Sequence, residues 1–128
     1  MTDHPAAVDA GTRLAVDRTR LAYERTMMAW VRTATSLISF GFTIYKFFQF
    51  EIDKGQPRAD RLIGPRGFAL IMIGIGLSAV FFASIEHRQS LKLLRTTYGD
   101  IPRSVSGLIG GLIGGLGLIA LIVVILGR

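Results

Sequence analysis

The chain contains no cysteine in its 128 residues. That removes disulfides, thiolate metal sites and cysteine nucleophiles, and it leaves the compartment open. A secretory signal is also missing. Such a signal sets a short basic region directly before an apolar one, whereas this chain stays polar for more than twenty residues first. The first apolar segment is therefore expected to remain in the mature protein as an uncleaved anchor. No phosphate-binding loop, zinc signature or nucleophile motif occurs. Gly110-Gly111 and Gly114-Gly115 lie inside an unbroken apolar run with no lysine after them. Beside Glu24 at the membrane entrance, no second acidic residue lies in a span to form a catalytic dyad or proton relay. Glu86-His87 is a weak metal signal and reads better as a solvated helix end. The expectation is a protein that is not an enzyme and has no cofactor and no metal.

What the chain does have is apolar length. Half of its residues are hydrophobic and the mean hydropathy is positive, at +0.45. The apolar residues are gathered into long runs, so a water-soluble core is excluded as their main destination. The size allows one small domain. The net charge of +6 could indicate a nucleic-acid partner. In a membrane protein it is better explained by basic helix ends that set topology and touch anionic headgroups.

The segment 1–11, with Pro5 and mixed charge, reads as a mobile tail. Residues 12–28 carry charge but no Pro or Gly, with Leu14, Leu21 and Met28 seven apart. This predicts an amphipathic helix, lying at the interface or running straight into the first span. Three spans are expected at about 29–50, 67–85 and 104–127, in a single membrane domain 12–128. Trp30 and Tyr45 would anchor the first span at the two interfaces. Polar loops at 51–66 and 86–103 separate the spans. Residues 86–95 are able to extend the second span as a helix, and the chain turns at 98–102. Basic residues on the N-terminal side outnumber those on the other, eight (Arg13, Arg18, Arg20, Arg25, Arg88, Lys92, Arg95, Arg103) to five (Lys54, Arg58, Arg61, Arg66, Arg128). The N-terminus is thus expected inside and the C-terminus outside.

The most unusual pattern is a polar stripe. Arg18, Arg25, Arg32, Ser39 and Lys46 recur every seven residues, and Thr35, Ser36 and Thr43 fill the same face. Seven residues make nearly two helical turns, so these positions form one line that drifts about 20° per heptad. The uncharged part of the first span is only Thr33 to Tyr45, about 20 Å of helix against a hydrocarbon core of about 30 Å. Arg32, Lys46 or both therefore start at membrane depth, where cations are rare and face a bundle interior or an aqueous cavity. One helix cannot enclose a pore. Several copies in a ring, each turning this face inward, would line an anion-selective path. The competing account has Arg32 and Lys46 snorkelling to opposite surfaces while the hydroxyls bond to backbone. Near the membrane entrance an Arg20–Glu24 pair is expected. In the third span, Gly107, Gly111 and Gly115 form one four-residue row and Gly110 and Gly114 another, with Gly117 after them. Rows of this kind let helix backbones approach closely, within a monomer or between copies.

The run 21–33 (LAYERTMMAWVRT), followed by Ser39-Phe40-Gly41-Phe42, resembles the YidH-type inner-membrane family, also catalogued as domain of unknown function 202. The same domain type is similar to the membrane part of the fungal vacuolar transporter chaperone complex. The resemblance implies a bacterial-type inner membrane and a ring of subunits, plausibly a pentamer, around a basic channel for inorganic polyphosphate. It would place Arg25 and Arg32 at the conduit; Lys46 is added from the stripe. The polyphosphate-synthesising domain of the fungal subunits has no counterpart in this chain. The sequence-based expectation is an all-α, three-span homo-oligomer offering anions, polyphosphate included, a path or binding site at Arg18, Arg25, Arg32, Ser39, Thr43 and Lys46. The alternative is a non-conducting scaffold or accessory subunit that holds anionic lipid or a partner protein.

Overall fold

A computed structural model describes residues 5–55, 64–99 and 102–127, with side chains from residue 10 onward and Tyr98 excepted. Half of the expected 51–66 loop, residues 56–63 with Arg58 and Arg61, lies outside the described residues, as do Asp100 and Ile101 of the second turn and Arg128. There are three α-helices: α1 (Pro5–Asp53), α2 (Pro65–Tyr98) and α3 (Val105–Leu126). Helix α1 starts inside the segment 1–11 that reads as a tail. Proline is well placed in a first helical turn, since its missing N–H would be unbonded there anyway, and Ala6, Ala7 and Ala10 favour helix. Residues 1–4 lie outside the described set. The amphipathic segment 12–28 and the expected first span are one continuous helix of 49 residues, about 73 Å long at 1.5 Å per residue.

The three helices run up, down and up. Gly41 lies against Ala69, Met72 and Ile73, and Gly76 against Ala34, Leu37 and Ile38, which makes α1 and α2 antiparallel. Helix α3 follows α1, with Gly110 beside Met27 and Val31, and Gly117 beside Ile38. The buried positions of α1 are Met27, Val31, Ala34, Ile38, Gly41 and Tyr45; those of α2 include Ala69, Ile73, Gly76, Val80, Ala83 and His87. Both follow a four–three spacing, the heptad pattern of a left-handed coil. Glycine and alanine at the crossing let the α1 and α2 backbones come close.

Two helices, α2 and α3, are long and apolar enough to cross a membrane. Only 17% of the most apolar stretch of α3 is buried within the protein. Its exposed Leu108, Leu112, Leu116, Leu118, Ile119 and Ile122 form a patch far larger than a soluble monomer tolerates, which suits lipid rather than water. Helix α1 holds no apolar stretch of comparable length, because charged residues interrupt it. The uncharged run of α2 ends at Ile85, and the helix continues as a charged extension to Tyr98 against α1, burying Leu91 and Leu94.

The expected interface role of Tyr45 is corrected. Tyr45 is buried, and its hydroxyl donates to the carbonyl of Gly127 at 3.2 Å. The Arg66 guanidinium donates to the carbonyl of Ile125. Together they serve two carbonyls at the C-terminal end of α3, groups that a helix end leaves without internal partners.

Candidate functional site

Helix α1 meets α2 and α3 through adjacent faces. Ala34 and Gly41 face α2, while Val31, Ile38 and Tyr45 reach α3. The remaining face is open. Arg18, Arg25, Arg32, Ser39, Thr43 and Lys46 are all exposed on it. The structure therefore brings these six sequence-predicted residues onto one uncovered surface. Thr35 is set further round and half-buried.

The hydroxyls along α1 divide into two kinds. Thr19, Thr26, Thr33, Thr35 and Ser36 donate to the carbonyl four residues earlier, at 2.7–3.2 Å. Ser39 and Thr43 have no hydrogen-bond partner among the described residues. Of the cations, Lys46 reaches Gln49 Oε1 at 3.3 Å and lies 5.9 and 5.7 Å from the ring centres of Phe42 and Tyr45. Among the described residues, Arg18, Arg25 and Arg32 make no ion pair. Arg20, on the side toward α2, does: its Nε lies 3.6 Å from Glu24 Oε1, as the four-residue spacing predicts.

A second polar cluster joins α2 to α3 where α3 begins. His87 Nε2 lies 2.7 Å from Ser104 Oγ and 3.4 Å from Ser106 Oγ, and the two serine oxygens are 2.8 Å apart. Ser104 Oγ also accepts the N–H of Gly107 at 3.2 Å, capping α3. His87 is only 6% exposed, so the solvated helix end expected at Glu86-His87 is corrected for the histidine; Glu86 is exposed. Gly107 lies beside the ring, where a Cβ would make an ordinary contact 3.8 Å from His87 Cδ2. His87 Nδ1, on the other side of the ring, is buried without a hydrogen-bond partner, as are Glu24 Oε1 and Arg20 Nε. His87 lies two residues past the uncharged run of α2. Burial holds its imidazole below the usual range, and the charge of Glu24 partly opposes that. Beside it, Tyr23, Thr26, Trp30, Glu86 and Ser90 line a cleft of about 20 Å³, room for roughly one water molecule. No group of three metal-ligating acidic, His or Cys side chains occurs among the described residues.

The glycines of α3 separate by use. Gly110 and Gly117, seven apart, are buried against α1 and α2, and Gly114 faces Val80. Gly111 and Gly115 face open space. The close-approach row is thus the 110/114/117 side, and it serves packing within the monomer. The row 107/111/115 packs only at its first member.

Residues 18–93 match the family described as Domain of unknown function (DUF202). The chain belongs to the DUF202 family. The match takes in the Arg stripe, Glu24, the α1–α2 crossing and His87, and ends before α3. No curated protein and no solved structure matches the chain. With two apolar, largely uncovered helices, this DUF202 chain is an integral membrane protein.

Proposed function

We propose that the protein is a three-span homo-oligomer of the inner membrane whose α1 helices surround a cationic path or binding site for anions. The observation that carries this reading is the open face of α1. Three arginines without ion pairs among the described residues and two hydroxyls without partners share a surface that neither α2 nor α3 covers. Those at membrane depth in this reading, Arg32, Ser39 and Thr43, need water, an anion or a neighbouring copy, because lipid tails satisfy none of them. In this reading α1 crosses the membrane despite its charges, with its N-terminus inside. Arg25 and Arg32 attract the anion, and Ser39 and Thr43 keep the path wet. The role is passive and non-enzymatic. Polyphosphate is the proposed cargo by resemblance to the membrane part of the vacuolar transporter chaperone complex, since a linear polyanion would meet successive arginine levels. A shared domain does not fix a cargo, so other anions belong to the same proposal.

The scaffold reading draws on one observation, the Lys46 contacts. A lysine lying along Phe42 and Tyr45 and bonded to Gln49 is held as a snorkelling cation would be. That observation concerns Lys46 alone and does not bear on Arg32.

The test is the subunit count in lipid nanodiscs by native mass spectrometry, followed by flux. A closed ring of four or more is expected, with anion flux that Arg32→Glu abolishes or inverts while the ring persists. A monomer or dimer cannot surround a hydrated path and would remove the conduit in favour of the scaffold.

A further inference from the structure

The open face of α1 carries two unlike flanks on either side of its arginines. On one flank Leu14, Leu21 and Met28 recur every seven residues and are 61%, 50% and 37% exposed. On the other, Ala15, Ala22, Ala29, Ser36 and Thr43 recur every seven residues, beside Thr19, Thr26 and Thr33, and all are exposed. Arg18, Arg25 and Arg32 lie between the flanks, three residues after each alanine and four after each Leu or Met.

The small flank is chemically quieter than its sequence suggests. Thr19, Thr26 and Thr33 donate their hydroxyls to the carbonyls of Ala15, Ala22 and Ala29. The polar atoms of this row are satisfied within the helix, and it presents mainly methyl groups around the alanines. Such a surface is a set of shallow apolar holes at heptad spacing, and Leu14, Leu21 and Met28 are knobs at the same spacing. One helix cannot bring its own flanks together. A second copy, parallel and at the same level, does so.

We propose that copies of this chain pack side by side, with Leu14, Leu21 and Met28 of one α1 seated in the Ala15–Thr19–Ala22–Thr26–Ala29–Thr33 face of the next. This rests on the oligomeric reading above and names the contact that builds it. Because the two flanks differ, the contact is heterologous, and repetition closes a ring or runs on as a filament. The knob row and the alanine row are one residue apart, about 100° around the helix. Neighbours in a ring of four to six members lie roughly 90–120° apart as seen from one member, so the geometry allows closure. The arginine row falls inside that angle and faces the axis. Two flat faces related by a twofold axis would instead set alanine against alanine and leave the Leu/Met row uncovered.

The absence of cysteine makes the test clean. Two full-length variants, Leu21→Cys and Ala22→Cys, carry different tags and are co-expressed, and the membranes are treated with a mild oxidant. A disulfide needs Cβ atoms about 3.5–4.5 Å apart, so only facing rows join well. The mixed Leu21→Cys/Ala22→Cys product is expected several-fold above either like-with-like product, and above an α3 control, Leu116→Cys. Predominant Ala22→Cys self-pairing would overturn the heterologous contact in favour of a twofold one. A closed ring by native mass spectrometry without the mixed product would overturn the contact and spare the oligomer. A monomer by mass spectrometry would overturn both.

Discussion

The α1–α2 crossing makes a prediction that separates packing from helix propensity. Substituting Gly76→Ala places a Cβ 2.9 Å from Ile38 Cγ1, 3.1 Å from the Ala34 carbonyl oxygen and 3.3 Å from Leu37 Cβ. Carbon atoms rest at about 3.5–4.0 Å, and the Ala34 oxygen belongs to the main chain, so α1 itself must yield. Overpacking of this kind costs about 1–3 kcal/mol. Alanine also favours a helix interior over glycine by about 1 kcal/mol, which offsets part of the loss. At Gly74, on the same helix two residues earlier, a Cβ would have nothing within 4 Å. Gly74→Ala keeps the propensity gain and meets no neighbour. The propensity contribution cancels between the two variants, so Gly76→Ala should be less stable than Gly74→Ala by about 1–3 kcal/mol, the packing cost alone. Denaturation in mixed micelles, followed by the single tryptophan, Trp30, measures the difference. Equal stability, or a more stable Gly76→Ala, would refute a tight crossing at this level. Gly41→Ala provides a second reading of the same crossing, since its Cβ would lie 3.0 Å from Met72 Cβ and 3.2 Å from the Ala69 oxygen.

The polar contacts at the two ends of α3 give further expectations. Ser104→Ala removes the cap and the His87 partner and should cost about 0.5–2 kcal/mol; a double-mutant cycle with His87→Ala should be non-additive, and strict additivity would mean the two side chains do not act together. Tyr45→Phe deletes the bond to Gly127 and should cost about 0.5–1.5 kcal/mol, measurable in the same denaturation assay; an unchanged midpoint would count against that bond. His87 binds its proton less readily folded than unfolded. Its contribution is therefore complete above the unfolded pKa of about 6.5 and is lost as the pH falls below it. Stability measured from pH 7.5 to pH 5 should decline on the acid side, with a smaller decline in His87→Gln; a rise on acidification would contradict burial of the neutral ring.

Period and length make part of this architecture legible in the sequence. The α2 and α3 segments are long apolar runs; α3 lies close to the expected 104–127, while α2 continues past the expected 67–85 through the segment 86–95 that is able to extend it. The heptad of Arg18, Arg25 and Arg32 puts these residues on one line by spacing alone, because a helix maps spacing onto direction. Which way that line faces is not legible, since it depends on where α2 and α3 dock. Spacing also misjudges the glycines of α3. Four-residue rows exist on both sides of the helix, and only contact with Met27, Val31, Ile38 and Leu77 picks out Gly110 and Gly117. The His87 cluster is hidden for a different reason. Its serines lie 17 and 19 residues further along the chain and meet the ring only because α3 folds back beside α2. The Ser104-x-x-Gly107 cap is the one local signal that α3 starts there.

The division of labour among the helices explains why the arginines sit on α1 and not elsewhere. Helix α3 presents an almost wholly apolar surface and is covered on one side only, so a cation on its open side would meet lipid. The N-terminal half of α1 projects beyond the uncharged runs of its neighbours, with Leu91 and Leu94 of α2 packed alongside. In the proposed membrane placement Arg18 and Arg25 are close to water, and their charge costs little. Arg32 lies about two turns beyond Arg25, beside the alanine and glycine crossing region, where exposure no longer guarantees solvent. Its tolerance depends on what lies opposite the α2–α3 pair. Two arrangements satisfy it: a guanidinium that reaches back to the interface along the helix, or an aqueous axis bounded by other copies. They differ in what charge removal does. Arg32→Leu should stabilise a lipid-facing α1 by removing a desolvated cation. In a ring around an anion path the same substitution should leave the subunit count intact and lower anion flux. Measuring both quantities on Arg32→Leu distinguishes the arrangements, because unchanged flux with a gain in stability is incompatible with arginines turned to an anion-bearing axis.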